Sequence, residues 1–242
     1  MIDQSLEMFE QLFTDDESGV ALPAGVIFEC IQGEGGVVVA PYRWVQGMRR
    51  LTIKYNIPLI CDEVQSGFMR TGDHFAFNHS NIIPDVVICS KAAGGSQPLA
   101  FIKYHPDLDK WTAGAHTGTF RGNQIAFYTG TQVLKYIRTE FEVSMNVIVL
   151  GNHFKYELEL LKRKYPTFID EVRGMGFMLG IQMSDPEIAN HIRSTLFQKF
   201  NIIIELGGRH SSVVRVLCSL VIQKEQIDYL LNCLDVILLS LL

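Results

Sequence analysis

A lysine and an aspartate in the first half of the chain have the types and spacing that an electron-sink cofactor requires. Lys91 follows an apolar stretch and precedes Gly94-Gly95, and Asp62 stands 29 residues earlier, at the end of another apolar stretch. An amine can form an imine with a carbonyl cofactor and move a proton at the substrate carbon, while a carboxylate keeps a ring nitrogen protonated so that the ring can take up charge. Taken alone, Lys91 could equally be a solvated or phosphate-binding residue. The pair requires both side chains to project into one cleft.

The elements that carry these residues are short apolar strands that alternate with a helical pattern. The sequence predicts strands over Val26–Glu29, Pro58–Asp62 and Asp85–Ser90, with a helix over Tyr42–Tyr55. This alternation is typical of βαβ units and a mainly parallel sheet, in which ligands bind at the carboxyl ends of the strands. Charged residues directly after buried strands lower stability unless they bind a ligand or form ion pairs. The charged residues at these ends are Glu29, Asp62, Glu63 and Lys91.

The second half of the chain has a different pattern, with helices followed by strands. We expect helices over Asn123–Glu140 and Glu142–Lys164. The later predicted elements are the strands Phe168–Val172, Phe177–Met183, Ile202–Leu206 and Val213–Leu217, and helices over Pro186–Phe200 and from Lys224. The fold prediction is therefore α/β: part of a large domain with a parallel-rich sheet over residues 1–125, and a smaller α+β C-terminal domain over residues 126–242.

Composition excludes several classes of function. The formal net charge is −5 and the basic residues form only short clusters, which argues against a nucleic-acid or anionic-membrane partner. The five cysteines are scattered without a CxxC pair, so we expect reduced thiols and no metal site. The N-terminus has no secretory pattern and no apolar run is long enough to span a membrane. We expect a cytoplasmic protein that acts on small molecules.

Four segments together resemble a known family. They are Glu29–Gly36, Asp62–Gly72, Ser90–Gly95 and Gly118–Asn123, and their order and spacing are those of the class III (ω-amino acid) aminotransferases of fold type I. The resemblance covers nearly the whole chain. Within the class, Gly114–Gln124 and Ile204–Arg215 make the chain most similar to the diaminobutyrate–2-oxoglutarate aminotransferases.

The resemblance implies pyridoxal 5′-phosphate (PLP) as the cofactor and assigns it residues. Lys91 would hold PLP as a Schiff base and act as the acid and base of the proton transfer. Asp62 would pair with the pyridinium nitrogen, and Gln65 would donate to the ring hydroxyl oxygen. Thr119 would contact the cofactor phosphate of a neighbouring subunit, so a homodimer with a shared active site is implied.

The resemblance also assigns residues to the substrates. Arg215 would bind the α-carboxylate of 2-oxoglutarate and of glutamate, since a guanidinium matches a carboxylate in bidentate geometry. Glu34 would neutralise Arg215 during the half-reaction with the ω-amino donor. Glu29 would lie near the cofactor, although it could equally cap or pair structurally.

The family's full-length members have a large N-terminal portion that holds a phosphate-gripping loop and an aromatic residue that stacks on the ring. The chain is expected to be an N-terminally truncated member, because nothing between Met1 and Gly25 can supply either feature. Backbone contacts at a helix N-terminus contribute much of the phosphate affinity. We therefore expect this chain alone to bind PLP weakly.

Three functions follow from the sequence. The first is transfer of the ω-amino group of L-2,4-diaminobutanoate to 2-oxoglutarate, giving L-aspartate 4-semialdehyde and L-glutamate. The second is the same chemistry with another ω-amino donor, such as ornithine or 4-aminobutyrate. The third is a catalytically silent fragment that serves only as a structural or dimerising module.

Overall fold

Residues 1–139 and 141–242 are described by the structure, a computed structural model, and they group into two units. The first unit comprises Met1–Cys30, Ala40–Phe68 and Phe75–Thr139, and the second comprises Ile31–Val39, Met69–His74 and the residues from 141 to Leu242. The predicted domain boundary between residues 125 and 126 stays a prediction. Each unit has its own sheet.

The elements are numbered in chain order. The helices are α1 (Ile2–Thr14), α2 (Tyr42–Lys54), α3 (Gln124–Thr139), α4 (Phe141–Lys164), α5 (Pro186–Phe200) and α6 (Lys224–Leu239). The strands are β1 (Val26–Phe28), β2 (Ile31–Gln32), β3 (Val38–Val39), β4 (Leu59–Asp62), β5 (Val86–Cys89), β6 (Phe101–Tyr104), β7 (Ile169–Met175), β8 (Met178–Met183), β9 (Glu205–Gly207) and β10 (Val213–Val216).

The sheet of the first unit has the order β1-β4-β5-β6, and its first three strands are parallel. Strand β4 is the most buried strand of this sheet: Leu59 and Cys61 are both at 0% exposure, and Ile60 and Asp62 are half-buried. The predicted parallel-rich sheet is confirmed. Strand β6 was not predicted; it pairs antiparallel with β5 along Phe101–Tyr104, and its residues are mostly exposed.

Helices α1 and α2 of the first unit are joined by polar contacts as well as apolar packing. The indole nitrogen of Trp44 donates to the Ser5 hydroxyl at 3.1 Å, and the Trp44 ring meets Phe9 and Phe28 edge to face. Helix α3 packs against the turn that follows β5. Its predicted first residue, Asn123, lies just before the helix and its side chain accepts from the Ile125 amide at 3.0 Å, while the predicted last residue, Glu140, lies outside the described residues.

The second unit has an antiparallel sheet of order β7-β8-β10-β9 with helices packed against it. Its core is apolar, and the largest fully buried side chains include Phe154, Leu158, Tyr165, Phe177 and Leu179. The predicted α+β character of this part of the chain is confirmed. None of the helices in the described residues is long and apolar enough to cross a membrane.

Helix α5 shows which local signals were strong enough to predict an element. Asp185 accepts from the Glu187 amide at 2.7 Å, Pro186 opens the helix, and the observed bounds are those predicted. The following strand was predicted to begin at Ile202, and that start is wrong. Asn201 ends the helix with φ of 56°, and the Ile202 amide still donates to the Leu196 carbonyl, so the chain enters the sheet only at Glu205.

Candidate active site

Three strand ends in the first unit bring charged residues to one edge of the sheet. The parallel register pairs Phe28 with Cys61 and Asp62 with Ile88. Glu29 directly follows β1, Asp62 ends β4, and Lys91 stands two residues after β5. Because parallel strands end on the same side, the carboxyl-end edge carries all three of these residues.

Lys91 occupies an unusual backbone conformation. It opens a short 3-10 turn over Lys91–Gly94 with φ of 45°, in the left-handed region that non-glycine residues rarely adopt. The side chain is exposed, and no described residue forms a hydrogen bond or an ion pair with its amine. Strained residues with an uncommitted functional group concentrate at functional sites, so this conformation supports a chemical role.

Asp62 is the last residue of β4 and Gln65 lies in the loop that follows it. Strand β4 pairs with β5, the strand that leads into the Lys91 turn. Asp62 is half-buried, and its Oδ1 accepts from the Val64 amide at 2.9 Å, which orients the carboxylate at the start of the loop. Gln65 is half-buried in that same loop. The two carboxylates Asp62 and Glu63 also act on Cys89, where burial first and then these charges raise the pKa of the thiol to about 12.

Glu63 is a buried carboxylate to which the sequence assigned no role of its own. It has 0% exposure and accepts from the Ser66 hydroxyl at 2.6 Å, the Ala76 amide at 3.1 Å and the Phe77 amide at 3.0 Å. Burial raises the pKa of Glu63, and the hydrogen bonds from Ser66 and the two amides oppose that rise. Glu63 therefore ties the loop after Asp62 to the segment around residue 76, and only the fold reveals this function.

Replacing Glu63 by glutamine is expected to lower the free energy of unfolding by about 1–3 kcal/mol, because glutamine places an NH2 group, which cannot accept a hydrogen bond, where Glu63 has its second oxygen, so that a buried N–H loses its acceptor. Since the folded pKa lies above the ordinary value of 4.5, the folded state keeps the proton to higher pH than the unfolded state. The contribution of Glu63 is thus fully present below about pH 4.5 and declines as the pH rises through the folded pKa.

The difference between wild type and Glu63→Gln should accordingly be largest at low pH and narrow towards neutrality. Urea unfolding of both proteins at a series of pH values measures this difference. A gap that widens with pH would mean that Glu63 is stabilised as a carboxylate.

Thr119 lies apart from these strand ends in sequence, in the exposed segment between β6 and α3. The segment is organised locally: the Arg121 guanidinium donates to the His116 carbonyl at 3.0 Å, and the His116 ring stacks on Trp111 with centroids 5.5 Å apart. Together with β6 and α3 it lines an open groove of about 900 Å³. The role of Thr119 towards a neighbouring subunit stays a prediction.

In the second unit, Arg215 is buried between two carboxylates. Its NH1 donates to Glu34 Oε1 at 2.8 Å and its NH2 donates to Glu205 Oε2 at 2.9 Å. The Arg215 side chain is 4% exposed, whereas those of Glu34 and Glu205 are 76% and 66% exposed. A buried guanidinium is costly without counter-charges, and here two solvated carboxylates supply them.

Two close backbone approaches make room for this cluster. A Cβ on Gly207 would lie 2.6 Å from Cδ and 2.7 Å from Nε of Arg215, so only glycine lets the arginine lie across β9. A Cβ on Gly36, where φ is 97°, would lie 2.9 Å from the Gly208 Cα. The Gly208 amide donates to the Glu34 carbonyl at 2.9 Å, which fixes the β2–β3 loop where Glu34 reaches Arg215.

The structure thus places the predicted residues in two groups. Glu29, Asp62 and Lys91 share one sheet edge in the first unit, and Glu34 and Arg215 are in contact in the second. Glu205 lies within the segment Ile204–Arg215, and the sequence predicts no role for it. One feature of the sequence could have identified Glu205: it is a glutamate in a strand that leads through Gly207-Gly208 to the strand bearing Arg215.

Comparisons with known proteins identify relatives of this chain. A diaminobutyrate–2-oxoglutarate aminotransferase of Rhizobium meliloti (strain 1021) is 46% identical over 236 residues, covering 92% of this chain and 50% of the relative. An enzyme of the same name from Haemophilus influenzae is 43% identical, covering 92% of this chain and 51% of the relative. The chain spans about half the length of the curated relatives it matches.

Solved structures agree on the fold. An ornithine δ-aminotransferase of Plasmodium falciparum superimposes with a TM-score of 0.87 at 29% identity, over 96% of this chain and 59% of that one. An acetylornithine aminotransferase from Elizabethkingia anophelis gives a TM-score of 0.85 at 27% identity, over 97% of this chain and 58% of that one. The family model described as aminotransferase class-III matches residues 2–238. The chain therefore belongs to the class-III aminotransferase family.

Proposed function

We propose that this protein takes part in a PLP-dependent transamination in which the 4-amino group of L-2,4-diaminobutanoate passes to 2-oxoglutarate, giving L-aspartate 4-semialdehyde and L-glutamate. The observation that carries the proposal is the placement of Lys91 and Asp62 after neighbouring parallel strands, at one edge of the sheet. The choice of donor is supported by the names of the relatives at 46% and 43% identity.

The residues at this edge have the chemistry that PLP requires. An exposed primary amine, a half-buried carboxylate and a half-buried amide are available from Lys91, Asp62 and Gln65. When bound, PLP supplies an electron sink for the charge that develops at the substrate carbon. The Asp62 carboxylate holds a proton at the ring nitrogen, and Gln65 binds the ring hydroxyl oxygen.

Lys91 has two tasks in this proposal. Its amine holds the cofactor between turnovers, and it moves a proton to and from the substrate carbon that bears the amino group. The hydrogen bonds that Glu63 accepts from the Ala76 and Phe77 amides fix the start of this loop, and they thereby hold the carboxylate of the preceding residue, Asp62, in place. Glu29, at the end of the adjacent strand, lies in the surroundings of the cofactor.

Arg215 and Glu34 account for two substrates of different shape. With 2-oxoglutarate or glutamate bound, Arg215 holds the α-carboxylate through two hydrogen bonds. With the ω-amino donor, Glu34 occupies Arg215, as it does at 2.8 Å in this structure. Thr119 binds the cofactor phosphate of a neighbouring subunit, so we include a homodimer in the proposal.

The test supplies PLP, 2-oxoglutarate and L-2,4-diaminobutanoate to two proteins. One is this chain, and the other is this chain joined to the part of the Rhizobium meliloti relative that it does not match. In the joined protein we expect a visible absorption change on adding PLP, a covalent adduct on the Lys91 peptide after borohydride reduction, and glutamate formed in equal amount to the aldehyde. In this chain alone we expect weaker PLP binding. Absence of both adduct and glutamate in both proteins would overturn the proposal and favour a silent structural module.

A donor panel at fixed 2-oxoglutarate separates the first two functions. We expect L-2,4-diaminobutanoate to have the highest kcat/KM, above ornithine and 4-aminobutanoate. A higher value for either of the other donors keeps the chemistry and replaces the substrate.

A further inference from the structure

Arg215 is engaged by two carboxylates from different elements, although a single counter-charge would neutralise it. Glu205 stands directly opposite Arg215 in the antiparallel pairing of β9 with β10, so the two side chains are cross-strand neighbours. Glu34 approaches from the loop between β2 and β3. Glu205 therefore belongs to the sheet itself, whereas Glu34 lies on a loop.

Because of the guanidinium geometry, Glu205 hinders the binding of another carboxylate to Arg215 more than Glu34 does. A carboxylate can bind arginine bidentately through NH1 and NH2 or through Nε and NH2. NH2 belongs to both edges, and NH2 is the group that Glu205 occupies. Release of Glu34 alone frees neither edge completely.

The Nε edge of Arg215 is closed by the fold as well. Nε is buried and has no acceptor among the described residues, and it lies against the backbone of Gly207. An incoming carboxylate is therefore left with the NH1–NH2 edge, from which both glutamates must withdraw. Both can do so, since each side chain is more than half exposed.

The closed cluster also carries a charge of its own. With one guanidinium and two carboxylates ionised, its net charge is −1. Such a cluster attracts a cation and repels a lone carboxylate. A donor that reacts through its ω-amine and carries an ammonium beside its distal carboxylate matches this charge, whereas a simple ω-amino acid offers the carboxylate alone.

We propose that Glu205 is a second gate on Arg215 that selects diamino acids as donors: it must leave NH2 before a dicarboxylate binds, and it attracts the α-ammonium of the donor while it stays. The assignment rests on the proposed function for the identity of the two substrates. Glu205 acts through Arg215 and through the charge of the cluster, so it is a specificity residue with no part in the proton transfer.

The experiment measures binding to this chain by calorimetry, for wild type, Glu205→Gln and the control Glu171→Gln. Glutarate is the first probe, because it has two carboxylates and nothing to transaminate. Glutamine keeps the size of the side chain and removes its charge. Glu171 is the control because it also pairs with an arginine of this sheet, Arg173 at 2.7 Å, without touching Arg215.

We expect Glu205→Gln to bind glutarate about 10-fold more tightly, since a charge-assisted hydrogen bond no longer competes for NH2. The same variant should bind L-2,4-diaminobutanoate about 10-fold more weakly and 4-aminobutanoate no more weakly than wild type. Glu171→Gln should leave all three affinities unchanged. Opposite shifts for two ligands cannot come from a damaged fold, which would weaken both.

Equal glutarate affinity in wild type and Glu205→Gln, weaker binding of every ligand, or no glutarate binding by either protein would overturn the gate. Because glutarate binding needs no turnover, this result is independent of glutamate formation. A protein that forms glutamate but shows no Glu205 effect refutes only the gate, and one with the Glu205 shift but no glutamate refutes only the proposed transamination.

Discussion

Replacing Lys91 by alanine is expected to abolish glutamate formation, with a loss of rate of about 10⁴-fold. That is the upper end of what a positioned proton-transfer group contributes, and it applies because Lys91 also holds the cofactor. The fold should be almost unaffected, because the side chain is exposed and its amine is bonded to no described residue. We expect the free energy of unfolding to change by no more than about 0.5 kcal/mol.

The control for this variant is Lys103→Ala. Lys103 is another exposed lysine of the first unit, in the middle of β6, so it matches Lys91 in type and exposure but not in position. Rate and adduct formation should both survive in Lys103→Ala and both disappear in Lys91→Ala. A Lys91→Ala protein that still yields a reduced cofactor adduct would place the cofactor on a different lysine.

The second large effect is expected for Arg215→Lys. Lysine keeps the positive charge but replaces the planar fork by a single ammonium, so it cannot bind a carboxylate bidentately. The loss of one charge-assisted hydrogen bond, worth about 1.5–3 kcal/mol, raises the KM for 2-oxoglutarate roughly 10- to 100-fold. The rate of the half-reaction with the diamino donor should fall much less, because that donor does not use the fork.

Arg193→Lys, on the exposed face of α5, serves as the comparison, and its KM should equal that of wild type. Glutarate binding by calorimetry gives the same information without turnover. If Arg215→Lys weakened donor and acceptor to the same extent, Arg215 would have a general structural role in the sheet and no particular role in recognising the acceptor.

Local signals accounted for much of the fold. Strand β4 was predicted to within one residue, because an uninterrupted apolar run that ends in charge has few alternatives. Helix α5 was predicted at both ends, because its aspartate cap and first-turn proline directly precede and open it, and an asparagine directly follows its last residue. Strand β6 was missed, since an exposed edge strand has no burial pattern to distinguish it from a loop.

The motifs did not identify the roles of Glu63 and Glu205, because those roles depend on contacts that only the folded chain makes. Glu63 looked like one more charge at a strand end, but the loop folds back to offer it two amides from 13 and 14 residues further along. Glu205 meets Arg215 only because the β9–β10 register sets them opposite, and a strand beginning at Ile202 gave no reason to choose that register.

By itself, the sequence determined the class of the protein and predicted the chemistry at Lys91 and Asp62, because the residues of each motif are neighbours in the chain and their spacing survives without a fold. The resemblance predicted Glu34 as a partner of Arg215, but only the tertiary structure decided that Arg215 is held by Glu205 as well. Its partners stand 181 and 10 residues away, and their meeting depends on a sheet register and on a loop that docks through Gly36 and Gly208. Such contacts follow from the packing of distant segments, to which no local pattern of residues corresponds.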